Sequence, residues 1–258
     1  MTVDLSTDAR GVATLALARP EKHNAMNADM IADISAAAAQ LAGDPAVRVV
    51  VLTGRGASFC AGGDLAWMRQ QMTADRATRM EQARLLARAL GALNTLPKPV
   101  IGRINGPAYG GGMGMISVCD VAVAVDDARF GFTETRLGLI PATISPYVLA
   151  RMGEAMARRV FMSARLFGAD EAVTLGLLSR AVPAADLDAA VEAEIAPYLT
   201  CAPEAVAASK ALTRALGVRI DDAVVEDSVG RLADTWETAS ASEGIDAFFA
   251  RRKPVWPV

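Results

Sequence analysis

The run Val-Arg-Val-Val-Val-Leu at positions 47–52 constrains the fold more than any other segment. A near-continuous β-branched stretch of this kind suits a strand buried on both faces, which needs helices above and below its sheet. Val100–Ile104 and Val121–Val125 read as further short strands, and Val12–Leu17 as another, closed by the turn-forming Arg19-Pro20-Glu21-Lys22. Helical patterns alternate with these runs. Asn27 can cap a helix to about Ala42, with Met30, Ile31, Ile34 and Leu41 on its apolar side. Asp64 launches a second helix, and a longer one covers Asp75 to Leu93 before Pro97 and Pro99 end it. After Pro146 the pattern is mainly helical, over 146–161, 169–175, 184–199, 203–216, 221–239 and 242–252, with Leu177–Val182 as a last strand. The chain predicts an α/β front followed by a helical tail.

Its 258 residues suffice for a single large core, able to bury about 70–75% of the unfolded surface. With 52% hydrophobic and 21% charged residues the chain is too apolar to be disordered. A net charge of −3 argues against a protein devoted to the nucleic-acid backbone. One histidine and three cysteines without C-x-x-C spacing argue against a zinc site and fit a reducing compartment. The start, MTVDLSTDARG, lacks the apolar core of a secretory signal, and no apolar stretch approaches the ~20 residues needed to span a bilayer. The expectation is a cytoplasmic protein with no membrane or nucleic-acid partner and no metal.

Five glycines between positions 106 and 114 require a physical reason. One is close packing of a helix on a sheet; the other is a strand-to-helix turn whose free N–H groups bind an oxyanion or phosphate. A P-loop would need Gly-Lys-Ser/Thr, and Gly112-Met113-Gly114 has no lysine. A dinucleotide turn would need a third glycine where Ser117 stands, and a longer helix.

Several separated segments together resemble the enoyl-CoA hydratase/isomerase (crotonase) superfamily. Arg19-Pro-Glu-Lys-His-Asn-Ala-Met-Asn27 resembles its first CoA-contacting turn, Phe59-Cys-Ala-Gly-Gly-Asp-Leu65 its first oxyanion loop and Asn105-Gly-Pro-Ala-Tyr-Gly-Gly-Gly-Met-Gly114 its second. Phe130–Pro141 resembles the segment carrying a catalytic glutamate, and Ala247–Pro254 the C-terminal CoA-contacting helix. The resemblance implies a ClpP/crotonase-type spiral of β-β-α units, with an α/β core over 1–190 and a helical oligomerisation region over 191–258. It also implies a homotrimer or a hexamer of paired trimers. CoA would enter as part of the substrate, with no separate cofactor.

By that resemblance the N–H groups of Gly63 and Gly111 stabilise a thioester enolate, and Glu134 moves the proton. Phe130, Phe132, Leu137 and Leu139 around Glu134 would raise its pKa toward the useful range. The competing reading pairs Glu134 with Arg136, two residues along an extended segment. Many hydratases of the family carry a second glutamate where this chain has Gly114, and a lone Glu134 suits a Δ3,Δ2-enoyl-CoA isomerase. Against this, Asp64-Leu-Ala-Trp-Met68 and Ile140-Pro-Ala-Thr-Ile-Ser-Pro-Tyr-Val148 resemble the bacterial methylglutaconyl-CoA hydratase branch, whose substrate has a second carboxylate. That carboxylate, or Thr133, would then place the water, with Arg136 as a possible partner of the carboxylate. The expected reaction is hydration of a short branched 2-enoyl-CoA, 3-methylglutaconyl-CoA foremost. A catalytically weak acyl-CoA- or RNA-binding member is the remaining alternative.

The further expected substrate contacts are Lys22, His23, Ala25, Ala61, Leu65, Trp67, Pro141, Phe248 and Arg251, together with Asp64, which can equally be a helix N-cap. Lys22, Arg251 and Lys253 have the charge that CoA phosphates require, against a competing reading as ordinary solvated charge that is strongest for Lys253. Phe248 would come from a neighbouring subunit or lie on its own helix's core face. Trp67 and Met68 suit an acyl pocket or a buried helix face, His23 packs near adenine or solvent, and Cys60 is structural.

Overall fold

The computed structural model describes residues 1–256. Six strands form the main sheet in the order β1 (Val3–Thr7), β2 (Val12–Leu17), β3 (Val49–Gly54), β4 (Val100–Ile104), β6 (Val121–Val125) and β9 (Arg180–Val182). A three-stranded sheet holds β5 (Ala108–Tyr109), β7 (Arg129–Gly131) and β8 (Phe167–Gly168). All six residues of β3 are buried, as a strand covered on both faces requires. Its parallel register runs Val12↔Val49 to Leu17↔Gly54 on one side and Val50↔Val100 to Leu52↔Gly102 on the other.

A parallel neighbour demands a crossover, and here each crossover first visits the second layer. β4 is followed by β5 and then α4 (Gly111–Ser117); β6 is followed by β7 and then α5 (Ser145–Met152). The earlier turns repeat this with single parallel bridges, Met26↔Gly63 before α1 (Ala28–Gly43) and Cys60↔Ala108 before α2 (Leu65–Thr73) and α3 (Arg76–Asn94). The result is the expected succession of β-β-α units.

The helices close the layers for reasons visible in their sequences. α1 buries Met30, Ile31, Ile34, Ala37, Ala38 and Leu41, one stripe at helical spacing, and Asn27 accepts from the Met30 N–H at 3.0 Å. Asp75 caps α3 through the Thr78 N–H at 2.7 Å. The 146–161 helix is divided, because Gly153 at φ 74° separates α5 from α6 (Glu154–Phe161). α7 (Ala169–Thr174) follows β8. The predicted strand 177–182 narrows to β9, and β1, β5, β7 and β8 lacked a readable pattern because they are short or edge strands.

The expected division at residue 190 falls inside α8 (Leu187–Leu199), whose Leu187, Ala190, Val191 and Ile195 join the same core as the sheet. Beyond it, α9 (Pro203–Leu216) buries no residue. α10 (Asp222–Trp236) is shorter than the 221–239 pattern suggested, and α11 (Ala239–Phe249) lies three residues earlier than the 242–252 pattern at the same length. α11 packs back on the segment around Glu134, where Leu139, Ala241 and Ile245 form a small second core with Met72, Leu137, Trp236 and Phe249 against it. No helix among the described residues is long and apolar enough to cross a membrane.

Candidate active site

Two glycine turns meet where the β-β-α units stack. Gly62 at φ 90° and Gly110 at φ 49° adopt backbone that side chains rarely take, and a Cβ on either would lie 3.9 Å from the other's Cα. The first turn is fixed by Met26 N–H donating to Gly62 O at 2.7 Å and Asp64 N–H donating to Met26 O at 2.8 Å. The second is fixed by Tyr109 N–H on Cys60 O at 3.0 Å and Gly110 N–H on Gly131 O at 3.0 Å. Among the described residues the N–H groups of Gly63 and Gly111 donate to no protein carbonyl. Two backbone donors left free at the junction of two rigid turns are what an oxyanion requires.

Between them and α2–α3 lies a cavity of about 450 Å³. Glu134 stands in its wall. Residues 134–137 form a 3-10 turn rather than an extended segment, so Glu134 and Arg136 point apart. The Arg136 guanidinium donates instead to Ala164 O at 2.9 Å and the residue is exposed. The proposed Glu134–Arg136 pair therefore does not form. Glu134 Oε2 is shut off from solvent with no hydrogen-bond partner among the described residues, and Oε1 lies 3.1 Å from where a Cβ on Gly110 would stand. Burial raises the Glu134 pKa to about 7, against a smaller opposing effect of its own backbone N–H.

The place of the family's second glutamate is closed. A Cβ on Gly114 would fall 2.5 Å from Ile144 Cγ2 and 3.2 Å from Leu90 Cδ1, both buried core side chains. Asp64 is also occupied. It accepts from the N–H groups of Ala66 at 2.8 Å and Trp67 at 3.3 Å, and pairs with Arg19 at 2.8 Å. Burial opposes its ionisation, but Arg19 and the two N–H groups outweigh burial and hold the carboxyl below its usual range. Its side chain is an N-cap, not a cavity contact.

Of the other expected contacts, Ala61, Gly63, Leu65, Trp67, Gly111, Arg136, Pro141 and Phe248 line the cavity. Phe248 does so from its own chain, half exposed at 46%. Lys22, His23, Ala25 and Arg251 lie off the cavity wall. Lys22 and Arg251 are exposed, Ala25 is buried, and His23 turns its Nδ1 to Ser58 Oγ at 3.0 Å. Cys60 is buried with its thiol pushed up to about 12 by burial, eased slightly by the Gly62 N–H, which disfavours the thiolate that a nucleophile needs.

Sequence reasoning missed Thr143, which is 5% exposed on the wall and whose hydroxyl makes no hydrogen bond among the described residues, and Gln71, Arg79 and Gln82. The signal for the last two was available. Arg79, Gln82, Ala83 and Leu86 fall at i, i+3, i+4 and i+7, so two polar residues interrupt an inward stripe.

Residues 7–257 match the enoyl-CoA hydratase/isomerase family. The chain belongs to it. The crotonyl-CoA hydratase of Syntrophomonas wolfei is 33% identical over 245 residues, covering 94% of this chain and 93% of that one. Among solved structures, an enoyl-CoA hydratase from Mycobacterium avium superposes with a TM-score of 0.85 at 32% identity, and Pseudomonas aeruginosa AtuE with 0.80 at 36%, each covering 99% of both chains. This enoyl-CoA hydratase/isomerase family member is therefore an enzyme of crotonase fold, and enzymes of this family act on CoA thioesters. Among the described residues no group of three His, Cys, Asp or Glu is placed to hold a metal ion.

Proposed function

We propose that the enzyme adds water to a short branched 2-enoyl-CoA, with 3-methylglutaconyl-CoA the foremost substrate. The observation that carries this reading is the buried Oε2 of Glu134, without a hydrogen-bond partner among the described residues, on the wall of a cavity whose rim holds two free glycine N–H groups. The relatives named enoyl-CoA hydratase support hydration over other family chemistry. Water oxygen bonds to the β-carbon while the C=C π pair moves toward the thioester oxygen. Gly63 and Gly111 donate to the enolate oxygen so formed. Ionised Glu134 takes one water proton and returns it to the α-carbon, restoring the carbonyl. The second water proton stays on the new hydroxyl.

With Gly114 closed by Ile144, the water needs another holder, and the unpartnered hydroxyl of Thr143 or Thr133 or the substrate's distal carboxylate supplies one. The same closure favours a second reading, a Δ3,Δ2-enoyl-CoA isomerase in which Glu134 carries a proton between carbons without water. Assembly as a homotrimer or hexamer in the cytoplasm completes the proposal, supported by the exposed Leu212 and Leu216 on α9 and by three unpaired cysteines. Incubation with 3-methylglutaconyl-CoA, crotonyl-CoA and a 3-enoyl-CoA in heavy-oxygen water tests it. Heavy oxygen in the branched product is the expected result; a shifted double bond with no oxygen uptake makes the enzyme an isomerase.

A further inference from the structure

The cavity wall changes character where α2 gives way to α3. Ala83 and Leu86 of α3 are apolar, as suits a hydrocarbon chain, but Gln82 and Arg79, further toward the start of the same stripe, are polar. Gln71, in the last turn of α2, stands beside them, because the Arg79 Nε donates to the Gln71 carbonyl at 2.8 Å and Nη2 to that of Met72 at 3.0 Å. Those bonds fasten the end of α2 and leave Nη1 unspent. The guanidinium lies 5.4 Å from the Trp236 ring centre, which braces it on the cavity side. Gln82 is oriented by Trp67, whose indole can only donate: Oε1 accepts from Trp67 Nε1 at 3.4 Å, so the Nε2 donors are left over. Gln71 itself is only 7% exposed, and its side-chain amide has no hydrogen-bond partner among the described residues. That amide is not among the buried side-chain atoms left without a partner, so it opens on the cavity, where a ligand's oxygen can pair with it.

The geometry points to a carboxylate subsite: Gln71, Arg79 and Gln82 bind an anionic group at the far end of the acyl chain. The inference rests on the reading of the cavity as an acyl-thioester site. Gln71 lies about 12 Å along α2 from the oxyanion glycine Gly63 at ordinary helical rise, a span that a short acyl chain and a reaching side chain cover together. The charge balance suits an anion, since the cavity's Arg, Lys, Asp and Glu lining among the described residues is Arg79, Arg136 and Glu134. Arg136 is exposed and donates to Ala164 O, whereas Arg79 is half-buried with a free donor. The subsite also selects by exclusion. A methyl-ended chain would cover the Gln71 amide and Arg79 Nη1 without pairing them, and unpaired buried donors penalise that ligand.

Two saturated thioesters that cannot be hydrated separate this subsite from the chemistry. Calorimetric titration of the full-length protein with glutaryl-CoA and pentanoyl-CoA should show glutaryl-CoA bound about tenfold or more tightly. Arg79→Met should abolish that preference, and Arg79→Lys should restore part of it. Gln71→Leu, which keeps the backbone carbonyl that Arg79 uses, should cut the preference severalfold without weakening pentanoyl-CoA. Equal binding of the two ligands by the wild type overturns the subsite. So does an Arg79→Met variant that weakens both ligands alike, which would leave Arg79 only the task of holding α2. If the glutaryl-CoA preference is present but no branched enoyl-CoA is hydrated, the subsite stands and the assigned reaction falls. If 3-methylglutaconyl-CoA is hydrated no better than its 3-methylbut-2-enoyl counterpart, the hydratase stands and the subsite falls. Failure of both thioesters to bind removes the subsite and the reaction together.

Discussion

Asp64 and Glu134 are two carboxylates flanking the same pair of glycine turns, and the fold treats them in opposite ways. Asp64 follows Gly63 directly and opens α2, so the helix's first N–H groups and Arg19 converge on it. Glu134 follows β7 into a 3-10 turn clamped by α11, and nothing converges on Oε2. Neither side chain is freely exposed, yet one carboxyl lies below its usual range and the other is raised to about 7. Burial pushes both carboxyls up, but at Asp64 the partners outweigh it, whereas at Glu134 burial prevails.

The sharpest test of that contrast is Glu134→Gln. It should lower kcat by about 10²–10⁴ while leaving CoA-thioester affinity within a few-fold, and wild-type kcat/KM should rise with pH through about 7 as the base ionises. A variant retaining more than a tenth of the turnover would remove Glu134 from the reaction. Next in size is Gly114→Glu, which places a third carboxylate where Ile144 and Leu90 already sit. Overpacking and an unpaired buried charge should cost about 3–4 kcal/mol in urea unfolding and bring no gain in hydration. A variant of wild-type stability with faster turnover would show the position to be open after all.

Asp64→Ala probes the other carboxylate and should destabilise by about 2–3 kcal/mol, through the lost cap and the stranded Arg19. Asp64→Asn keeps an acceptor for the N–H groups and should lose only part of this. Because the Asp64 pKa is lowered on folding, its contribution is present above the unfolded carboxylate range and fades as pH falls through the folded value. Equal stability of Asp64→Ala and wild type at neutral pH would mean that Asp64, like Glu134, serves something other than the fold.

How far the sequence revealed this contrast depended on range. The valine run at 47–52 reported β3, and Asn27, Asp64 and Asp75 reported their helix starts, because caps and buried strands are set by neighbours along the chain. The second sheet was not legible. Its strands are two or three residues long, and single bridges such as Cys60↔Ala108 leave no periodicity. Glu134 was singled out, but its local environment suggested Arg136 as an ion-pair partner. The 3-10 turn that parts them depends on α11 approaching so closely that Gly138 faces the backbone of Ser240 and Gly244 that of Leu137. Gln71 escaped notice for a like reason, since a polar side chain on a helix reads as solvated until the opposite wall is known, whereas Arg79 interrupts an inward stripe that the sequence does show.

The smallest effect tests the contrast in stability alone. Below the unfolded pKa of about 4.5 the Glu134 carboxyl is neutral in both folded and unfolded chains, so it costs the fold nothing. As pH rises toward the folded value of about 7, the unfolded chain releases its proton first and the native state loses ground. The full shift corresponds to about 3 kcal/mol, and the half-buried position beside a cavity reduces this to about 1–2 kcal/mol. Gln cannot ionise, so Glu134→Gln should match the wild type near pH 4.5 and exceed it by that amount at pH 8 in paired urea titrations. An enzyme made more stable by losing its base would show that the lone carboxyl is held against the preference of the fold. A difference that stays constant with pH would mean that Glu134 has found a partner, and its contrast with Asp64 would disappear.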